Sequence, residues 1–329
     1  MRQTIRTAVF GVSLLSVAGL MLASPQALAE NYPSRTIKII QGYAPGGNAD
    51  AVSRIVGKEL SDQMKQTVVV ESRPGAGGNL AADQVSKTEA DGYTLVLLTT
   101  AHVISPAIYK SLPFDPVKDF EFIGNVANVP YVFVVNADSP YKTMKELADA
   151  ARAKPGTITI GNAGVGTGQH LCAELFADAI KAKFVNVPFR GDAAAVTGLL
   201  SSSVDVVVAP GTAIRGNIEA GKFRALGISS PKRWKDLPNV ATVAETGVVP
   251  DFNVVGFLAL ATAHGVPKPV VEKLSKELKI ALAKPDADNR IAALGLIPEY
   301  SNSEQFKNKV VSEIARWKDL AEKANIPKR

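Results

Sequence analysis

Phe120-Glu121-Phe122-Ile123-Gly124-Asn125-Val126-Ala127-Asn128-Val129-Pro130-Tyr131-Val132-Phe133-Val134-Val135-Asn136 reads as one nearly continuous strand, broken at Asn128 and Pro130. Its β-branched and aromatic residues suit extended backbone. A second stretch of this kind, 247–261, is broken at Pro250 and Gly256. Between the two lies a compact block, about 131–245, in which short apolar runs alternate with helical patterns. Two long extended segments bracketing such a block predict two lobes joined by two crossover strands. The first lobe then comprises 30–130 plus 246–329 and the second 131–245, with the C-terminal helices returning to the first. A single larger sheet is the alternative.

Outward from these segments, strands are predicted over 36–41, 67–71, 94–99, 131–136, 157–160, 184–187, 204–209 and 223–228. Helical spacing of three and four recurs between them, as in Val52, Ile55, Val56, Leu60 and Met64. Thr143 followed by Glu146 is a capping-box signature, and 267–284 and 303–323 read as longer helices. Strands that alternate with helices predict an α/β fold, each lobe a mostly parallel sheet flanked by helices.

A chain of 329 residues with 46% hydrophobic content is too apolar to be disordered and long enough for about two domains. The single Cys172 excludes an internal disulfide, and no Cys/His spacing approaches a zinc site, so no metal or cofactor is expected. The formal charge of +6 overstates the basic character. Arg2 and Arg6 precede a small and apolar run, 8–23, and then Ala27-Leu28-Ala29, which together make a secretory leader cut after Ala29. Its removal leaves 35 basic against 31 acidic side chains, a net of +4. No nucleic-acid-binding patch is indicated, and a periplasmic location is expected.

Three glycine-rich turns fall between a strand and a helix: Tyr43-Ala44-Pro45-Gly46-Gly47-Asn48-Ala49-Asp50, Arg73-Pro74-Gly75-Ala76-Gly77-Gly78-Asn79, and Gly161-Asn162-Ala163-Gly164-Val165-Gly166-Thr167-Gly168-Gln169-His170. Glycine lets backbone approach a ligand, and the amides and dipole of the following helix favour an anion. Nucleotide is disfavoured, because Gln169 stands where the dinucleotide fingerprint needs glycine and Thr167 stands where a P-loop needs lysine. A small-anion site fits better. His102 and His170 are candidates to donate to such an anion, Arg190 beside Gly191 to clamp a carboxylate, and Phe257 to form an apolar wall. No nucleophile elbow or metalloprotease signature is present.

Several segments occur in an order that closely resembles one family. They are Pro45-Gly46-Gly47-x-x-Asp50, Arg73 to Asn79 as above, Asp91-Gly92-Tyr93-Thr94-Leu95, Asp115-Pro116-x-x-Asp119-Phe120, and Gly164-x-Gly166-x-x-x-His170-Leu171 with Glu174-Leu175-Phe176. Val187-Pro188-x-x-Gly191, Gly221-Lys222-x-Arg224-Ala225-Leu226, Leu237-Pro238-x-Val240-x-Thr242-x-x-Glu245-x-Gly247 and Pro267-Lys268-Pro269 follow. Together they resemble the Bug family, periplasmic solute-binding receptors of tripartite tricarboxylate transporters.

The resemblance implies a two-lobed Venus flytrap that closes on a small organic carboxylate. It also implies delivery to a large and a small membrane subunit by a monomeric, non-enzymatic receptor. Carried onto this sequence, it places Ala44, Pro45, Gly46, Gly47 and Asn48 in the first lobe's carboxylate loop, and Ala163, Gly164, Gly166 and Thr167 in the second's. Thr99, Thr100 and His102 are expected to face the cleft, and Asp50 matches a family aspartate that equally suits a helix first turn. Phe189-Arg190 replaces the family's usual Tyr-Lys, and Val255 or Phe257 its common Trp, so the ligand class carries over and its identity does not. Two readings compete with this one: a secreted enzyme acting on a carboxylated metabolite through His102 or His170, and a receptor that signals through a sensor partner.

Overall fold

The computed structural model describes residues 32–323 together with 326 and 328; the expected leader over 1–29 lies outside them. No described helix is long and apolar enough to cross a membrane. Along the chain run β1 (Ile37–Gln41), α1 (Asn48–Met64), β2 (Val68–Ser72), α2 (Asn79–Ser86), β3 (Thr94–Thr99), α3 (Ala101–Ile108) and β4 (Phe120–Asn136). Then follow α4 (Met144–Ala153), β5 (Thr159–Asn162), α5 (Gly168–Ala179), β6 (Val185–Pro188), α6 (Asp192–Leu200), β7 (Val206–Pro210), α7 (Gly211–Glu219) and β8 (Phe223–Ile228). The chain closes with β9 (Val255–Ala263), α8 (Lys268–Leu282), α9 (Pro285–Ala293), β10 (Ile297–Ser301) and α10 (Ser303–Lys323).

β4 belongs to two sheets. Its residues 120–130 pair antiparallel with β9, from Phe120 opposite Ala263 to Pro130 opposite Val255, and β10 lies along its other edge. From Tyr131 onward its partners are β7 and β8. The expected break at Pro130 is therefore absent. Proline cannot donate to a ladder, and here it sits where the strand passes from one ladder to the next, so the strand runs on through it.

The second crossing is made by 252–254 leading into β9. Val254 N donates to Ser229 O (2.9 Å) and Ser229 Oγ donates back to Val254 O (2.5 Å), while the same Oγ accepts Tyr131 N (3.0 Å). Ser229 thus ties the two crossings together.

The parallel arrangement holds for β2-β1-β3 in the first lobe and β6-β5-β7 in the second. β9 runs against the parallel strands of the first lobe and the second half of β4 against those of the second, while the first half of β4 runs against β9, so each sheet is mixed.

Successive β4 side chains enter different cores, as the twofold repeat of a strand requires. Val132 and Val134 pack beneath α6 and α7. Tyr131, Phe133 and Val135 enter a core that also holds Phe120 and Phe122 from the first lobe, so one apolar cluster is continuous through both lobes. The last helix, α10, lies over it with Phe306, Val310, Ile314 and Trp317 buried at helical spacing. The capping box of α4 forms as expected, with Glu146 N donating to Thr143 Oγ1 at 3.1 Å.

Candidate functional site

The parallel strands of both lobes end at one cleft of about 710 Å³ between the lobes. All but β2 are followed by a helix that begins at the cleft wall, the place where open α/β sheets bind ligands. The N-termini of α1 (Gly47 to Ala49), α3 (Thr100, Ala101), α5 (Thr167 to Gln169), α6 (Gly191, Asp192) and α7 (Pro210, Thr212) all reach it. Among the described residues, no lysine, arginine or histidine lines it. What the lining offers an anion is backbone amides, the hydroxyl and amide groups of neutral side chains such as Asn48 and Thr212, and helix dipoles, each dipole worth about 0.3–1 kcal/mol and up to about 2 when partly buried.

The first-lobe wall begins at Gly47, the extended N-cap of α1, which no side chain caps. Among the described residues, no acceptor meets the amides of Asn48 and Ala49. Gly47 and Asn48 line the cleft as expected, with Ala49 added, whereas Ala44, Pro45 and Gly46 form the exposed outer part of the loop. Asp50 faces away. Its Oδ2 accepts from Gly46 N and Arg54 Nε, both at 3.1 Å, and Arg54 holds its carboxyl below the ordinary range. The second glycine turn contributes Ala76 and Gly77, and Tyr43 Oη bridges Gly77 O (2.9 Å) to Thr99 Oγ1 (2.6 Å).

The second-lobe loop is braced from within. Gly164 N donates to Asn162 Oδ1 (3.0 Å), Gly166 N to His170 Nδ1 (3.2 Å), and Thr167 Oγ1 to Gly164 O (2.8 Å). The amides of Gly164 and Gly166, expected to hold ligand, are therefore occupied, and Gly168 and Gln169 at the start of α5 also line the cleft. Ala163, Gly166 and Thr167 still line the cleft, and Gly164 does not.

His170 is buried and serves this brace. Because its Nδ1 accepts from Gly166, its proton sits on Nε2, 3.7 Å from Glu174 Oε1. Replacing His170 with Ala removes about one hydrogen bond, worth roughly 1 kcal/mol, so ligand affinity should fall about fivefold by calorimetry. Unchanged affinity would show that the loop holds its shape without His170.

His102 does not face the cleft. It is the second residue of α3, and its ring turns into the first-lobe core, stacked on Phe114 (5.7 Å) and edge-on to Phe120 (5.1 Å), with Nε2 against Pro116 O at 2.8 Å. Burial lowers its pKa to about 4, so it stays neutral. Arg190 is also misplaced by the expectation: it is exposed, outside the cleft, and among the described residues its side chain has no hydrogen-bond or ion-pair partner. Only its neighbour Gly191 reaches the wall. Thr99, Thr100 and Phe257 do line the cleft; Thr100 Oγ1 accepts Phe257 N at 2.8 Å.

Sequence reasoning missed Tyr131, Gln169, Asp192, Pro210 and Thr212 as lining residues. Tyr131 closes the floor. A Cβ on Gly168 would sit 2.0 Å from its hydroxyl oxygen and one on Gly256 2.5 Å from it, so both glycines are required by close approach. Gly256, read as a strand breaker, is therefore a packing glycine inside β9. The Pro210-Gly211-Thr212 turn carries the same strand-then-glycine signal as the loops that were noticed. Across the mouth the lobes touch: a Cβ on Gly166 would lie 2.3 Å from Ile108 Cδ1 of α3.

Residues 52–326 match the profile of TctC, the tripartite tricarboxylate transporter family receptor. Among curated proteins, the chain is 35% identical over 289 residues to the UPF0065 protein in the tcbD-tcbE intergenic region of Pseudomonas sp. (strain P51), covering 88% of this chain and 86% of that one. It is 31% identical over 310 residues to protein BugT of Bordetella pertussis, covering 92% and 95%. Among solved structures, R. palustris Rpa4515 with adipate superposes with a TM-score of 0.77 at 28% identity, covering 91% of this chain and all of that one. MatC from Rhodopseudomonas palustris with bound malate gives 0.71 at 28% identity, covering 88% and 99%.

Proposed function

Because this chain belongs to the tripartite tricarboxylate transporter receptor family, we propose that it is a periplasmic receptor that closes on a small organic carboxylate and delivers it, as a monomer, to the large and small membrane subunits of such a transporter. The observation that carries the reading is the convergence of five helix N-termini on an interlobe cleft without a basic side chain. Two related structures, at 28% identity, hold the dicarboxylates adipate and malate. Lobes of 30–130 plus 246–329 and of 131–245 would move as units about the Asn128 to Tyr131 part of β4 and the 252–254 crossing. A ligand anion touching amides of both lobes favours the closed state, because the open state offers it only one wall. The engagement of His102 and His170 in core and loop also supports a receptor over acid–base catalysis.

The test is calorimetric titration with adipate, malate, succinate, citrate, glutarate, glutamate and monocarboxylates. At least one member is expected to bind saturably with a negative heat-capacity change. Silence from the whole panel would refute the carboxylate reading. Mass spectrometry of ligand carried through purification after secretion gives the natural occupant, which should be recovered chemically unchanged.

A further inference from the structure

The cleft is electrically lopsided. On the first-lobe side the N-termini of α1 and α3 face it with no carboxylate among the lining residues, since Asp50 is turned toward Gly46 and Arg54. On the second-lobe side stands Asp192, among the described residues the one acidic or basic side chain in the lining. It does not cap its own helix: α6 has no side-chain cap bond. Instead Gln169 Nε2, from the start of α5, donates to Asp192 Oδ1 at 2.9 Å and fixes the carboxyl plane. Among the described residues no donor meets Oδ2.

A fixed carboxylate at that end offsets the positive dipole ends of α5, α6 and α7 and repels a second anion. It offers a ligand an acceptor. Resting on the receptor reading above, we propose that Asp192 selects carboxylates that also carry an ammonium group: the ligand's carboxylate lies against the amides of α1 and its ammonium against Asp192 Oδ2. The substrate class is then amino-carboxylates, with the apolar wall of Ile108, Val129, Phe257 and Leu258 receiving the carbon chain.

Burial raises the Asp192 carboxyl above its ordinary range, opposed by the Gln169 bond. A cation at Oδ2 would draw it back. The other titratable groups lining this space are the hydroxyls of Tyr43, Tyr109 and Tyr131. That of Tyr131 is held protonated chiefly by burial, with Asp192 adding to the effect.

Two ligand pairs that differ only in the ammonium group test this: L-glutamate against glutarate, and L-leucine against 4-methylpentanoate. Each is titrated into the wild-type protein and into Asp192→Asn, which keeps the acceptor for Gln169. The wild type should bind at least one ammonium-bearing member about 10- to 100-fold more tightly than its partner, the worth of one charge-assisted hydrogen bond. Asp192→Asn should erase that preference and tighten binding of glutarate severalfold. Because the wild-type comparison needs no mutant, misfolding of the variant cannot mimic the result. Equal or tighter binding of the plain acids by the wild type, or an equal loss for both members in Asp192→Asn, overturns the role of Asp192 while leaving the carboxylate receptor standing. Failure of all four to bind, together with silence from the organic-acid panel, removes the receptor reading itself and this proposal with it.

Discussion

Gly166→Val is expected to lower affinity for the panel's best ligand at least about 100-fold, roughly 2.7 kcal/mol. Two effects combine. Gly166 has φ +79°, in the left-handed region, where a β-branched residue is strained by roughly 1–3 kcal/mol. Its Cβ would also fall 2.3 Å from Ile108 Cδ1, across the line where the lobes meet. Ile108 is 5% exposed and also lines the cleft, so the clash is relieved either by turning its side chain into the ligand space or by holding the lobes apart, and both weaken binding. The melting temperature should fall only about 2–8 °C, because the strain is local. Pairing the change with Ile108→Ala removes the obstructing methyl and should recover about tenfold of the lost affinity, leaving the backbone strain. Affinity within threefold of wild type in the single variant would show that closure does not bring these two residues together.

Trp234→Ala should give the largest loss of stability, about 3–5 kcal/mol. The indole is 1% exposed in the second-lobe core and is wedged under two glycines. A Cβ on Gly211 would lie 2.4 Å from its Cζ3, and one on Gly295 3.1 Å from its Cζ2. Gly211 opens α7 and Gly295 lies in the first lobe between α9 and β10, so the ring supports the α7 terminus that brings Thr212 to the cleft. Among the described residues its Nε1 has no hydrogen-bond partner, so the loss is one of packing. Thermal unfolding should shift down by roughly 6–15 °C, with weakened ligand binding in the residual folded protein. Trp234→Phe should retain more than half of the stability. A shift under about 2 °C for the alanine variant would mean that the site collapses around the gap.

The parts of the fold that could be read from sequence are those where burial on both faces leaves an unbroken apolar run, as in β3, β7 and β4. β10 gave no such signal: Ile297-Pro298-Glu299-Tyr300-Ser301 is an edge strand with a proline and a charge, and only its pairing to β4 makes it a strand. The α1 terminus was legible because an uncapped glycine followed by a helix exposes amides wherever it occurs. His102 was misjudged because nearness to Thr100 in sequence does not specify direction; one step along the helix, from Ala101, rotates a side chain by about 100°, here from cleft to core. Tyr131 is hidden among valines and phenylalanines, and nothing local separates a cleft tyrosine from a core one. Gln169 and Asp192 lie 23 residues apart, and their joint role exists only once β5 and β6 are paired.

That β4 is shared between sheets also bears on what happens when the chain is incomplete. The second-lobe strands β5 to β8 all lie within 159–228 and find their place on 131–136, so that sheet needs nothing further downstream. β3 must wait for β9 at 255–263 before its second edge is paired, and the first half of β4 waits for both β9 and β10. A chain clipped or stalled before residue 255 therefore presents Thr94-Leu95-Val96-Leu97-Leu98-Thr99, uncharged and without proline, as an open apolar edge. Such an edge adds strands from other chains. Self-association of fragments should start at β3, and the intact molecule is protected from it by a strand made more than 150 residues later.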